Sequence, residues 1–272
     1  MKTHLFSAIL LLLGHLSIAQ NCKAFLYEGD TLQYEACLLA EGRNGHYQFS
    51  KEYQEALDRS IEKCPRFSYA YRHKSVAYLK SGDFLTWKKL IDKAVELDPE
   101  QNLGYRGWCR YQFFRDYTGA IRDIEQLNEM FGNDVGYSAN GDYHLNIAKA
   151  ICYKAIGQSG KALSIIQEQL AQEGYSPSKY EYLYLGILLF EFEKYGEALE
   201  AFANQATLNN LADNQYYTAL VHKTLNNRLA YHESLDLSKS LYVKGQRMYD
   251  PYTHPYDKVY LSMIESEMEK QN

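Results

Sequence analysis

The chain has 272 residues, 29 basic and 34 acidic, for a formal charge of −5, which argues against nucleic acid as a partner. Beyond the first twenty residues no stretch approaches the ~18 uninterrupted apolar residues of a membrane span. Tyrosine is the compositional outlier, with 26 copies.

The opening, MKTHLFSAILLLLGHLSIA, carries one cation at Lys2, an apolar run from Leu5 to Leu13, and Ser17 and Ala19 spaced as S-x-A. Residues 1–19 therefore read as a secretory signal peptide cleaved after Ala19, too short to span a membrane, and the chain is expected to be exported, periplasmic or extracellular. Loss of Lys2 takes the charge from −5 to −6. Cys22 lies just past the cleavage point, but Ala19-Gln20-Asn21 departs from the L-(A/S)-(G/A)-C of lipoprotein signals, so a lipid anchor is not expected. Residues 20–33 show no sustained period and are expected to form a loosely ordered lead-in.

From residue 34 to 249 amphipathic runs come in pairs. The first pair turns at Gly42 to Ser50 and continues in a helix over Lys51 to Lys63. The second, Ser68 to Pro99, is the clearest: two runs joined at Gly82-Asp83 and closed by Leu97-Asp98-Pro99, the pattern of a helical hairpin. Trp87 matches Tyr53, Ala94 matches Ser60, Pro99 matches Pro65 and Tyr71 matches Cys37, always at an offset of 34. The third pair, Asn102 to Phe131, carries Gly107-Trp108, Asp116-Tyr117 and Ala120 with one residue too many between its halves. Gly132 to Asp142, GNDVGYSANGD, is loop chemistry, read as slack between hairpins. The fourth pair spans Tyr143 to Gln169. The fifth, Lys179 to Asn210, follows Pro177. The sixth starts near Ala212, and its second helix is expected to run through Leu241 and Tyr242 to Met248. Residues 250–272 then read as a loop, DPYTHPYD, and a capping helix with Val259, Tyr260, Met263 and Ile264 on its apolar face. All five prolines fall at these boundaries or in the last loop, as a cost of ~3 kcal/mol inside a helix requires.

A 34-residue helix–turn–helix period resembles the tetratricopeptide repeat, and this sequence is identified as resembling an exported bacterial member of that family. Further matches are Ala150, Tyr153, Gly157, Ala162 and Ile166 in the fourth pair, Tyr182, Leu185, Gly186, Ala198 and Phe202 in the fifth, and Ala219, Asn226 and Leu235 in the sixth. The resemblance implies an all-α, right-handed superhelical solenoid of about six antiparallel helix pairs with a C-terminal capping helix. It also implies that the first helix of each pair lines a concave groove. Carried over, the groove positions give Tyr69, Arg72 and Val76 in the second pair, and Arg106, Arg110 and Phe113 in the third. Ile147 and Lys154 follow in the fourth pair, and Tyr180 and Phe190 in the fifth. Arginines among aromatics there would hold an acidic protein or peptide. The lysine and asparagine set with which some family members clamp a C-terminal carboxylate is absent from the matching positions, so that activity is not carried over.

Five cysteines leave at least one unpaired within the chain. Cys37 near the start of one helix and Cys64 at the end of its partner are expected at the same end of their hairpin, as a candidate disulfide. Cys109 and Cys152 fall in apolar runs and read as buried thiols. Gly157 to Lys161 imitates a phosphate loop, but Ala155 and Ala162 stand where glycine and serine or threonine are required. His232-Glu233 has Asp236 where a zinc-protease helix needs its second histidine. Asp250, His254 and Asp257 are the one compact set of ligand-type residues, better read as a proline-braced loop than as a metal site. No cofactor and no metal is expected. The function expected is a non-catalytic scaffold binding a protein or peptide in the bacterial cell envelope. The alternative is a component of envelope or outer-membrane assembly or of glycan handling, and an enzyme ranks third.

Overall fold

The computed structural model describes residues 21–270, so the expected signal peptide lies outside the described residues. Every element among them is helical, and the chain divides into two compact units, one ending at Leu97 and the other beginning at Asp98.

The first unit contains α1 (Cys22–Tyr27), α2 (Thr31–Glu41), α3 (Lys51–Lys63), α4 (Ser68–Ser81) and α5 (Phe84–Leu97). Residues 20–33 thus differ from expectation, because α1 and the start of α2 lie within them. Asp30 caps α2 by accepting from Gln33 N at 3.0 Å and pairs with Arg66 at 2.5 Å. Such a cap satisfies a backbone donor that the helix cannot. The disulfide expectation is also corrected: Cys37 is bonded to Cys22, with Cα atoms 5.5 Å apart, and Cys64 is a free, buried thiol. The reason is α1, which folds back onto α2 and brings Cys22 into the core formed by Ala36, Cys37, Ala40, Leu57, Phe67 and Ala70. Cys64 ends α3 inside the same cluster.

The second unit begins with α6 (Pro99–Cys109), which runs on as a π-helical turn over Arg110–Phe114, then α7 (Tyr117–Phe131). It continues with α8 (Leu145–Ala155), α9 (Ser159–Leu170), α10 (Glu181–Glu191), α11 (Tyr195–Leu208), α12 (Ala212–Thr224), α13 (Arg228–Val243) and α14 (Leu261–Glu269). The surplus residue of the third pair is absorbed by the π turn, which fits one more residue into a turn of helix. With α2–α3 and α4–α5, the pairs α6–α7, α8–α9, α10–α11 and α12–α13 make six.

One local device recurs between the helices of five of these pairs. Gly82, Arg115, Gly157, Glu193 and Asn226 all adopt positive φ, between 55° and 84°. That left-handed step ends the first helix and reverses the chain. Glycine takes it without strain, whereas arginine and glutamate do so at a modest cost. Packing within pairs requires small residues at close approach: a Cβ on Gly186 would lie 2.3 Å from the ring of Phe202.

The last pair departs from its expected length. Helix α13 stops at Val243 because Gly245, at φ 79°, closes it with the paired bonds Gln246 N to Leu241 O and Gly245 N to Tyr242 O, each 3.0 Å. Met248 is left outside the helix yet fully buried. Helix α14 packs on α12 and α13 through Ile264, with Val259 buried just before it, among Tyr216, Ala219, Tyr231 and Leu235. The insertion at 132–142 is built rather than slack. Ser138 N donates to Tyr143 O and Leu145 N to Gly136 O, each at 2.9 Å, and Lys179 N donates to Asp142 O at 3.1 Å.

Candidate functional site

Between the buried Met248 and Val259 the chain leaves the helical stack and crosses the first helices of the second unit's pairs. The two ends of this strap are fixed by one side chain. Asp213 of α12, wholly buried, accepts Met248 N on Oδ2 and Val259 N on Oδ1, both at 2.7 Å. Burial pushes its carboxyl above the usual aspartate range, an effect that the two backbone donors oppose. Its oxygens accept two amides that would otherwise be buried without partners.

The interior of the strap is held almost wholly by side chains reaching its backbone. From the C-terminal end of α6–α7's first helix, the Arg115 guanidinium donates to the carbonyl of His254. Tyr184 of α10 donates its hydroxyl to Tyr256 O at 3.2 Å, and Tyr217 of α12 donates to Asp257 O at 3.1 Å. Tyr249 N donates to the Tyr180 hydroxyl at 3.3 Å. Burial raises the Tyr184 and Tyr217 hydroxyls above the ordinary tyrosine value, so both keep the proton they donate. Beneath them Tyr111, Tyr143 and Tyr184 form a buried aromatic run, with centroids 6.0 and 6.4 Å apart. Tyr143 donates to Gln112 Oε1 at 3.0 Å, whose Nε2 in turn donates to Thr253 Oγ1 at 2.7 Å.

Further contacts read strap side chains. The carboxylate of Asp257 meets Lys154 of α8 at 2.5 Å, and that ammonium also pairs with Glu191 at 2.9 Å and lies 5.5 Å from the ring centroid of Tyr256. The lysine side chain is only 8% exposed, so this ion pair is largely shielded from water. Tyr256 also meets Tyr117 edge-on at 6.2 Å, and Tyr252 packs against Phe113 at 6.4 Å. Asp250 caps the strap's own turn, accepting from Tyr252 N and Thr253 N at 2.9 and 2.8 Å. Asp250, His254 and Asp257 are therefore engaged separately, and no group of three metal-ligand residues converges among the described residues.

The residues expected in the groove have different fates. Phe113, Lys154 and Tyr180 all touch the strap. Arg106 and Arg110, expected as free groove cations, are corrected: both are held by Asp123 of α7. Arg106 binds it through Nε at 2.9 Å and Nη2 at 2.7 Å, and Arg110 through Nη1 at 2.9 Å. Asp123 is buried and stabilised only by pairing, so the arginines serve the hairpin. Ile147 is fully buried and belongs to the core. Phe190 lies against Tyr195, with centroids 6.1 Å apart. Tyr69, Arg72 and Val76 lie on α4 in the first unit. There Tyr69 accepts from Arg43 Nη2 at 2.5 Å and stacks 4.0 Å from His73. Burial, with the charges of Arg43 and Arg72, holds His73 down to about 3. Asp213, Tyr184, Tyr217 and Gln112 were not anticipated. The signal that could have found them is a tyrosine-rich set of first helices followed by a proline-braced loop rich in backbone acceptors.

Antiparallel helix pairs in series define a helical-repeat protein. No protein-family model and no curated protein matches the sequence. By fold the chain is similar to PilF of Pseudomonas aeruginosa, with a TM-score of 0.62 at 13% identity over 93% of this chain and 96% of that one. It is also similar to PilW, described as a widely conserved type IV pilus biogenesis factor, at 0.57 and 14% over 91% and 96%. A third is YrrB, described as a TPR protein with an unusual peptide-binding site, at 0.56 and 18% over 80% and 99%. The fold is that of the tetratricopeptide repeat. No described helix is long and apolar enough to cross a membrane.

Proposed function

We propose that this chain is a non-catalytic scaffold of the bacterial cell envelope that binds a polypeptide segment of a partner on the first-helix face of its second unit. The observation that carries this reading is the strap. The carbonyls of His254, Tyr256 and Asp257, around a turn closed by Lys258 N on Pro255 O, accept from side chains of three different helical pairs, which is how a side-chain-lined groove holds a segment of varied sequence by its backbone. The same face adds one shielded cation, Lys154, and an aromatic, Phe113, to select among segments. The Cys22–Cys37 disulfide suits a protein exported to an oxidising compartment, as does the signal-like opening. Participation in envelope assembly is the second reading, favoured by the likeness of fold to PilF and PilW.

The test is a displayed library of ten-residue segments panned against the intact chain and against a form whose strap is replaced by a short glycine-serine linker. Retention of related segments by either form, lost when Phe113→Ala and Lys154→Met are combined, supports the reading. Retention of nothing by both forms refutes it.

A further inference from the structure

Two observations show how the strap differs from the helical elements around it. Residues 249–258 are held to the helices through side chains reaching their backbone, and the backbone-to-backbone contact Lys258 N to Pro255 O is internal to them. Their anchors lie outside them: Met248 and Val259 are fully buried, whereas Tyr249 and Tyr252 in the interior are 57% and 58% exposed. Since both anchor amides bond the two oxygens of one carboxylate, they lie within about 8 Å of each other. The strap is therefore a closed loop whose ends stay fixed when its middle leaves, and α14 need not move with it.

Resting on the reading that this face is the binding face, we propose that the strap is a resident ligand. The partner carries a turn-forming segment of the same chemistry, an aromatic residue followed by an aspartate and preceded by proline, and it takes the strap's place. The aspartate would take Asp257's position on Lys154, leaving Glu191 as the lysine's second partner. The aromatic ring would take that of Tyr256, edge-on to Tyr117 and beside the ammonium. The proline, like Pro255, precedes a turn in which Lys258 N reaches Pro255 O and Asp257 takes a φ of 60°, and this turn presents the carbonyls at the places of His254, Tyr256 and Asp257 to Arg115, Tyr184 and Tyr217. No covalent step is involved, and the exchange trades one set of side-chain donors for the same set.

The test uses a synthetic peptide with the strap's sequence, YDPYTHPYDK. It is titrated by fluorescence anisotropy into the intact chain and into a variant in which residues 249–258 become a linker of about three glycine or serine residues, enough to cover the anchor separation. The peptide is expected to bind the variant and to bind the intact chain at least about tenfold more weakly. Changing the peptide's residue equivalent to Asp257 to asparagine, or Lys154→Met in the protein, is expected to weaken binding by about tenfold, as loss of a charge-assisted hydrogen bond does. Should the linker variant fail to fold by circular dichroism, the full-length Tyr256→Ala/Asp257→Asn variant is used, and it should accept the peptide. Equal binding to the intact chain overturns the proposal, as does absence of binding to a folded variant. If the folded variant retains library segments but not this peptide, the resident-ligand proposal falls and the binding face stands. If neither the folded variant nor the intact chain retains either, both fall.

Discussion

Replacing Asp213 by alanine removes the side chain that joins the two ends of the strap. Both of its oxygens are used, on Met248 N and Val259 N at 2.7 Å, and all three residues are completely buried. Each buried amide left without a partner costs about 1–3 kcal/mol, so Asp213→Ala is expected to destabilise the second unit by about 2–6 kcal/mol. Asparagine keeps one acceptor, opposes an N–H to the other amide, and removes a carboxylate whose ionisation burial already disfavours. Asp213→Asn should therefore cost about half as much. Urea unfolding followed by circular dichroism gives the loss, and hydrogen exchange of peptides containing Met248 and Val259 locates it. A change below about 1 kcal/mol for alanine, with exchange at both amides unaltered, would refute the clasp.

Arg106→Ala/Arg110→Ala leaves the carboxylate of Asp123 buried without a cation, so the pair should cost about 3–5 kcal/mol in urea, and adding Asp123→Ala should recover part of it. Gly186→Ala forces a methyl into the Phe202 ring and should lower stability by about 1–3 kcal/mol, read as a lower Tm. Burial would raise Glu267, but hydrogen bonds from Lys223, Lys270 and Tyr231 outweigh it and hold the group down to about 2. Its folded value is depressed, so the attachment of α14 is complete above about pH 4.5 and lost as pH falls towards 2. Proteolysis of α14 against pH should show that transition, and Glu267→Gln should flatten it. Cys22→Ser/Cys37→Ser opens a loop of 15 residues and should destabilise the first unit by about 3 kcal/mol, while the thiols of Cys64, Cys109 and Cys152 stay unreactive until unfolding.

Much of the helical map was legible because it depends on local chemistry. Pro99 at the first turn of α6 after the Asp98 cap, and Gly82 and Gly157 at the left-handed turns, each act within a few residues of themselves. Elsewhere the same chemistry gave no signal or was overridden by the apolar period. Glu193 and Arg115 take the left-handed step with no glycine to announce it, and Gly245 stops α13 although Met248 keeps the apolar period. The surplus residue in the third pair was visible as a spacing fault, but only the backbone shows that a π turn removes it. Cys22 was assigned to an unstructured lead-in, so its competition with Cys64 for Cys37 could not be weighed. A six-residue helix is too short to show a period.

The groove illustrates a different limit. Repeat spacing indicates which side chains of a first helix share a face, and Phe113, Lys154 and Tyr180 each meet the strap. It says nothing of what those side chains meet, because the answer lies far along the chain: Asp257 is 103 residues from Lys154, and Thr253 is 141 residues from Gln112. Arg106 and Arg110 carry the same lesson over a shorter range, since Asp123 claims them from the second helix of their own pair. A cation on an inner face is therefore available to a partner only to the extent that its present carboxylate can be replaced. Asp123 is buried in a helix and held by two guanidinium groups, whereas Asp257 sits in a loop with a single ammonium. By that comparison Lys154, and not the arginines, is the cation through which this face can exchange one acidic segment for another.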